Sequence, residues 1–166
     1  MSFATLPGMA DRTITLGGYS KTFSITGWRI GYSVASARWA QAIGAMNDLL
    51  YVCAPTPLQA GVAAGIQELP DSFYRDLARD YQQKRDRFCQ ALAKAGLRPS
   101  IPQGAYYVLA DTSRLPGTTG KARAMFLLET IGLAGVPGEA FFSGPEGAQF
   151  VRFSYAKIDS DIDDAC

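Results

Sequence analysis

Three helices in a row, set off from one another by prolines and flanked by short strand-like runs, restrict this chain to a layered fold of helices and sheet. Ala40, Ile43, Met46, Leu49 and Leu50 recur at spacings of three and four, the period of an amphipathic helix over residues 36–51. Ala54-Pro55-Thr56-Pro57 ends it, because proline lacks the N–H donor and its ring clashes with the preceding turn. A second helix is predicted over 57–69, with Thr56 as N-cap and Pro57 at the first helical position. Pro70-Asp71 resets the chain. Asp71 or Ser72 then caps a longer helix to about residue 95, with Phe73, Leu77, Tyr81, Phe88, Leu92 and Ala95 along one face and Gly96 as its stop. Around these, 12–18 reads as a strand running into the Gly17-Gly18 loop. Residues 104–110 and 149–155 also read as strands, 121–131 as a helix, Val136-Pro137-Gly138 as a turn, and the acidic run 159–164 as the charged first turn of a last helix. Alternating strands and helices imply an α/β or α+β layer structure. Pro70-Asp71 is the predicted domain junction, dividing 1–70 from 71–166.

Composition narrows the chemistry. The 166 residues carry 16 Lys plus Arg against 15 Asp plus Glu, so no basic excess argues for nucleic acid or an anionic membrane. There is no His, which excludes imidazole acid–base catalysis, Ser-His-Asp and Cys-His nucleophiles, and the usual His-containing zinc sites; no metal is expected. Cys53, Cys89 and Cys166 are far apart and form no CxxC pair, so a reducing, cytoplasmic setting is the expectation, with Cys53 and Cys89 as small buried hydrophobes. No run approaches the roughly 20 apolar residues of a membrane span, and no basic segment followed by an apolar run opens the chain.

The chemically informative stretch runs from Gly17 to Tyr32. It sets Lys21 and Arg29 eight residues apart in a Gly- and Ser-rich context directly after a strand. Fully extended, that spacing separates them by roughly 26 to 29 Å. A turn at Thr26-Gly27 would fold Arg29 back towards Lys21 and turn both cations to one anionic ligand. Ser20-Lys21-Thr22 is not a phosphate-binding P-loop, which needs Gly where Ser20 and Thr15 stand.

Ser20-Lys21-Thr22-Phe23 followed by Thr26-Gly27-Trp28-Arg29-Ile30-Gly31-Tyr32 resembles the signature of the fold-type I, class I and II aminotransferases, enzymes that depend on pyridoxal 5'-phosphate (PLP). The resemblance extends over nearly the whole chain. Pro57-Leu58-Gln59 looks like the start of the helix leading out of the family's large domain, and Pro102-Gln103-Gly104-Ala105-Tyr106-Tyr107 like its P-x-G-x-F/Y-Y element. Val136-Pro137-Gly138-Glu139-Ala140-Phe141 resembles the V-P-G-x-x-F element, and residues 150–156 the strand that carries a carboxylate-binding Arg. The implied fold is α/β: the C-terminal part of the large domain, an incomplete mixed sheet with helices, over 1–70, and an α+β small domain over 71–166.

By this resemblance, Lys21 is the Schiff-base lysine, whose amine condenses with the cofactor aldehyde and later shuttles the substrate α-proton. Arg29 matches the arginine that binds the cofactor phosphate. Ser20 is a further phosphate contact by the same reading, with plain loop structure as the competing role, while Gly18 stands where many relatives have Ser. Arg152 matches the arginine that grips the substrate α-carboxylate. On pattern alone, it sits in a strand that alternates Phe150, Arg152 and Ser154 with Val151, Phe153 and Tyr155, where an exposed edge-strand Arg is the competing reading. Tyr106 is assigned to the substrate pocket, with Tyr107 beside it, and core packing is the competing role for both. Trp28 and Tyr32 are read as packing residues.

The family's carboxylate for the pyridine nitrogen, its Tyr and Asn at the phenolic oxygen and its glycine-rich helix start lie further upstream of the lysine than residue 1. Asp11 is too close to Lys21 to be that carboxylate. The expected activity is amino transfer between an amino acid and a 2-oxo acid, in the broad aromatic, methionine or kynurenine style, by a homodimer in the complete enzyme. The alternatives are a catalytically silent fragment of such an enzyme and a PLP-dependent lyase or synthase on the same scaffold. A nucleotide-binding module would rest only on the Gly-Ser-Lys context.

Overall fold

The computed structural model of the protein describes residues 2–166. It forms two compact units, one ending at Arg75 and the other running Asp76–Cys166. The division falls in the first turns of a long helix, beyond the proline break that the sequence offered as the junction.

In the first unit, β1 (Thr15–Gly18) pairs antiparallel with β2 (Gly31–Val34), Thr15 opposite Val34 and Gly18 opposite Gly31. The strand starts at Thr15 because Ala10–Arg12 forms a short 3-10 turn. Gly17 makes the pairing with Tyr32 possible: a Cβ there would lie 2.6 Å from Tyr32 Cε1. Two helices follow, α1 (Ala37–Leu50) and α2 (Thr56–Glu68). The α2 N-cap is Pro55, and Thr56 is already helical. The reason is that the Pro55 carbonyl accepts from both Leu58 N–H and Gln59 N–H, at 3.0 and 3.1 Å, so the helical ladder begins one residue earlier than expected. Ile30 and Val62 are buried here, whereas Leu16, Leu49 and Leu50 are each more than three-quarters exposed.

The second unit takes most of α3 (Asp71–Lys94) and adds four strands and two helices. β3 (Arg98–Ser100), β4 (Tyr107–Asp111), β5 (Val136–Pro137) and β6 (Phe150–Ser154) form a sheet in the order β3-β4-β6-β5, antiparallel throughout. Both edge strands contain proline, Pro99 in β3 and Pro137 in β5. Proline is tolerated at an edge, where no ladder N–H is needed, and this is why the sequence showed a turn at Val136-Pro137 and nothing at β3. The central strands alternate half-buried and buried residues, as expected from their period of two.

α4 (Gly120–Ile131) starts under the Thr119 side chain, which accepts from Ala122 N–H at 3.0 Å, and ends at Gly132 in the left-handed region. α5 (Asp159–Ala165) closes the unit. Its acidic residues meet Arg87 of α3, with Asp159 at 2.9 Å and Asp163 at 3.2 Å. The core joins Phe88, Cys89 and Leu92 of α3 to Val108, Ala110, Val151 and Phe153 of the sheet and to Tyr155 just beyond β6, with Ala124, Leu127 and Ile162 from the other helices. Phe88 meets Phe153 edge-on at 6.0 Å between ring centroids. Cys89 is buried, and burial pushes its thiol pKa up. Cys53 is exposed, unlike the buried hydrophobe expected from its apolar neighbours, because it follows the α1 C-terminus in the connection to α2.

Candidate active site

The loop of residues 19–30 connects β1 to β2, so hairpin pairing brings its two arms together whatever the spacing along the chain. Tyr19 N–H donates to the Ile30 carbonyl at 3.2 Å and closes the loop at its base. The far arm passes through a short 3-10 turn, Thr26–Trp28, after which Arg29 takes a left-handed conformation at φ 57°. A non-glycine residue costs about 1–2 kcal/mol there, and such strain concentrates at functional sites.

The strain is held by contacts that converge on one threonine. Lys21 Nζ donates to Thr26 Oγ1 at 3.1 Å, Thr26 Oγ1 donates to the Ser20 carbonyl at 3.2 Å, and Arg29 Nη1 donates to the Thr26 carbonyl at 2.9 Å. The turn expected at Thr26-Gly27 therefore folds Arg29 back, and the ammonium and the guanidinium are fastened to the same residue. Ser20 takes part through its backbone oxygen. Thr26 was read from the sequence only as a turn former. The signal was its place between the Lys and the Arg, where a hydroxyl can bond both ways.

Aromatic side chains moor this loop to the helices behind it. A Cβ on Gly61 would come within 2.9 Å of Trp28 Cζ3, and one on Gly65 within 3.4 Å of Phe23 Cζ, so both rings lie on a small-residue face of α2. Phe23 also stacks on Tyr19, with centroids 5.7 Å apart, and Tyr19 lies 5.2 Å from Tyr32. Trp28 and Tyr32 thus serve as packing residues. Arg29, with Gly31 and Ser33 of β2 and Asn47 of α1, also lines a cavity of about 530 Å³.

The second unit carries the other predicted residues. Arg152 lies on the half-buried face of β6, opposite Leu109 of β4 and Val136 of β5. Its guanidinium carbon lies over the Tyr107 ring at 3.9 Å and over the Phe141 ring at 4.3 Å, and its Nε is buried without a hydrogen-bond partner. Tyr106 packs against the buried core and lies 4.1 Å from Tyr107 between centroids. A hydrogen bond with Tyr107, and secondarily burial, push its phenol pKa up. The structure therefore places Tyr107 at Arg152, with Tyr106 behind it. Phe141 was visible in the sequence only as the last residue of a motif, without a role.

The model of the family "Aminotransferase class I and II" matches residues 2–166. The chain belongs to the class I and II aminotransferases. Among curated relatives of this family, it is 38% identical to the kynurenine–oxoglutarate transaminase of Dictyostelium discoideum over 95% of this chain and 41% of the relative. It is 33% identical to kynurenine–oxoglutarate transaminase 3 of the mouse over 99% of this chain and 40% of the relative. Among solved structures, YbdL of Escherichia coli, described as having a methionine aminotransferase function, superimposes with a TM-score of 0.91 at 28% identity, over 99% of this chain and 43% of that one. N-succinyldiaminopimelate aminotransferase of Mycobacterium tuberculosis gives 0.88 at 29% identity, over 98% and 42%. The chain thus spans about two-fifths of the length of these aminotransferases, and corresponds to the C-terminal portion of their fold.

Class I and II aminotransferases are PLP-dependent, and the residues present fit such a group. An ammonium and a guanidinium fastened to one threonine suit a ligand with an aldehyde at one end and a dianion at the other. Among the described residues no helix is long and apolar enough to cross a membrane, and no cluster of three or more His, Cys, Asp or Glu side chains is placed to hold a metal ion.

Proposed function

We propose that this chain supplies the lysine-bearing and carboxylate-binding parts of an aminotransferase that moves an amino group between an amino acid and a 2-oxo acid. The observation that carries the reading is the convergence of Lys21 and Arg29 on Thr26, inside the loop that bears the family motif. The unit ending at Arg75 is assigned to the cofactor and the unit from Asp76 to the small domain with Arg152. The kynurenine and methionine aminotransferases among its relatives favour an aromatic or sulfur-containing amino acid as donor. A homodimer in the complete enzyme and a cytoplasmic location complete the reading.

PLP, when bound, supplies an aldehyde that condenses with amines and a conjugated ring that takes up the electron pair released at the substrate α-carbon. Lys21 would provide the amine that holds the aldehyde, and its Nζ would accept and return the α-proton. Arg29 would anchor the phosphate by charge-assisted hydrogen bonds, and Ser20 and Thr26 keep that arm of the loop in register with the lysine. Arg152 receives the α-carboxylate, while Tyr106 contributes to the substrate side of the small domain by backing Tyr107.

The test is to add PLP to the purified chain, reduce with borohydride and map phosphopyridoxyl adducts by mass spectrometry. The expected outcome is a single adduct at Lys21 that disappears in Lys21→Ala. Labelling scattered over surface lysines would overturn the assignment, and leave the chain as a catalytically silent portion of an aminotransferase fold.

A further inference from the structure

Arg152 offers more than a charge. Arginine presents a carboxylate with two pairs of donors, one made by Nε with a terminal nitrogen and one by the two terminal nitrogens together. In this protein Nε is buried and makes no hydrogen bond. Such an orphaned donor is costly unless something else stabilises the cation. The stabilisation comes from the flanking aromatic faces, Tyr107 from β4 on one side of β6 and Phe141 from just beyond β5 on the other, with the guanidinium carbon over both rings. Tyr107 is backed by Tyr106, which packs on the core, so this wall is fixed from behind.

We propose that Tyr107 and Phe141 are positioning residues, an aromatic clamp that holds the Arg152 guanidinium with its two terminal nitrogens outward, so that the site takes a planar carboxylate end-on in preference to a tetrahedral oxyanion. The preference for a planar group rests on the assignment of Arg152 to the substrate carboxylate, whereas the clamp itself rests on the ring geometry. A coplanar carboxylate matches both terminal nitrogens at once. The third oxygen of a sulfonate or phosphonate lies out of that plane and has no donor to meet. With the clamp removed, the guanidinium turns freely, and Nε becomes available to anions of either shape.

The experiment uses the full chain, labelled with nitrogen-15 arginine, and two probes of matched size, 3-phenylpropionate and 2-phenylethanesulfonate. The Arg152 Hε–Nε signal is assigned by its loss in Arg152→Leu. It is expected to be displaced by ring currents in the wild type, to return to the ordinary arginine position in Phe141→Leu and Tyr107→Leu, and to stay displaced in Tyr107→Phe. Protection of the Cys89 thiol from a thiol reagent verifies folding of the second unit in each variant. In titrations the wild type is expected to bind the carboxylate about tenfold tighter than the sulfonate, and Phe141→Leu to lose most of that preference. An Arg152 signal that does not move in Phe141→Leu and Tyr107→Leu would overturn the clamp, and equal wild-type affinity for both anions would overturn the planar preference. Carboxylate affinity unchanged in Arg152→Leu would instead overturn the assignment of Arg152 to the substrate, leaving the clamp to be judged on the signal alone.

Discussion

The Thr26 hydroxyl accepts from the Lys21 ammonium and donates to the Ser20 carbonyl, so one oxygen ties the start of the loop to its return arm. Removing it in Thr26→Val leaves both groups without that partner, and under the proposed function the loop would then have to be ordered at the moment PLP is taken up. A hydrogen bond of this kind is worth about 1 kcal/mol, or roughly fivefold in an equilibrium. The PLP concentration for half-maximal borohydride trapping at Lys21 is therefore expected to rise about fivefold in Thr26→Val and to stay near wild type in Thr26→Ser. Equal trapping in all three proteins would show that the threonine is a turn former and nothing more. Lys21 and Arg29 were legible in the sequence because a long motif names them. Thr26 was not, because a threonine before glycine is ordinary turn chemistry, and only the folded loop shows where its hydroxyl points.

Among the elements, the segment after β5 depends on a missing side chain. Gly138 opens the 3-10 turn that follows β5, and a Cβ there would meet the Gly147 carbonyl oxygen and come within 2.8 Å of the Phe150 carbonyl oxygen. Backbone oxygens cannot swing aside as a side chain can. Gly138→Ala is therefore expected to destabilise the second unit by about 1–3 kcal/mol, read as a lower urea midpoint at unchanged slope. An unaltered midpoint would mean that the turn relaxes at no cost. The same contrast explains which elements the sequence revealed. α1 and α3 repeat apolar residues at helical spacing and carry punctuation at their ends, so their existence was readable residue by residue. β3 and β5 are short, contain Pro99 and Pro137, and exist as strands only because β4 and β6 present edges for them to pair with.

For the whole molecule, the two units differ in how much they bury. The second has one continuous core of residues from helices and sheet, whereas the first buries Ile30 and Val62 and leaves Leu16, Leu49, Leu50 and Val52 open. Apolar surface of this kind stabilises nothing until something covers it. The first unit is expected to unfold at lower urea than the second. The chain contains its own reporters, because its two tryptophans, Trp28 and Trp39, are both in the first unit, while Cys89 is buried in the second. Tryptophan emission should therefore change at a lower urea concentration than that at which Cys89 becomes reactive, with exposed Cys53 reacting at once as an internal reference. Coincident midpoints, with a slope fitting the whole chain, would show one cooperative unit instead.

By itself, the sequence determined the family, the motif that marks it, the succession of helices and the alternation of the central strands. These are local properties, since a period of 3.6 or 2 and a contiguous motif are complete within one stretch of chain. The tertiary structure alone decided that the arms of the 19–30 loop close on Thr26, that proline-bearing segments become edge strands, and that Tyr107 and Phe141 flank Arg152. Each of these joins residues through a pairing register or a packed ring, and a register exists only when both partners are in place.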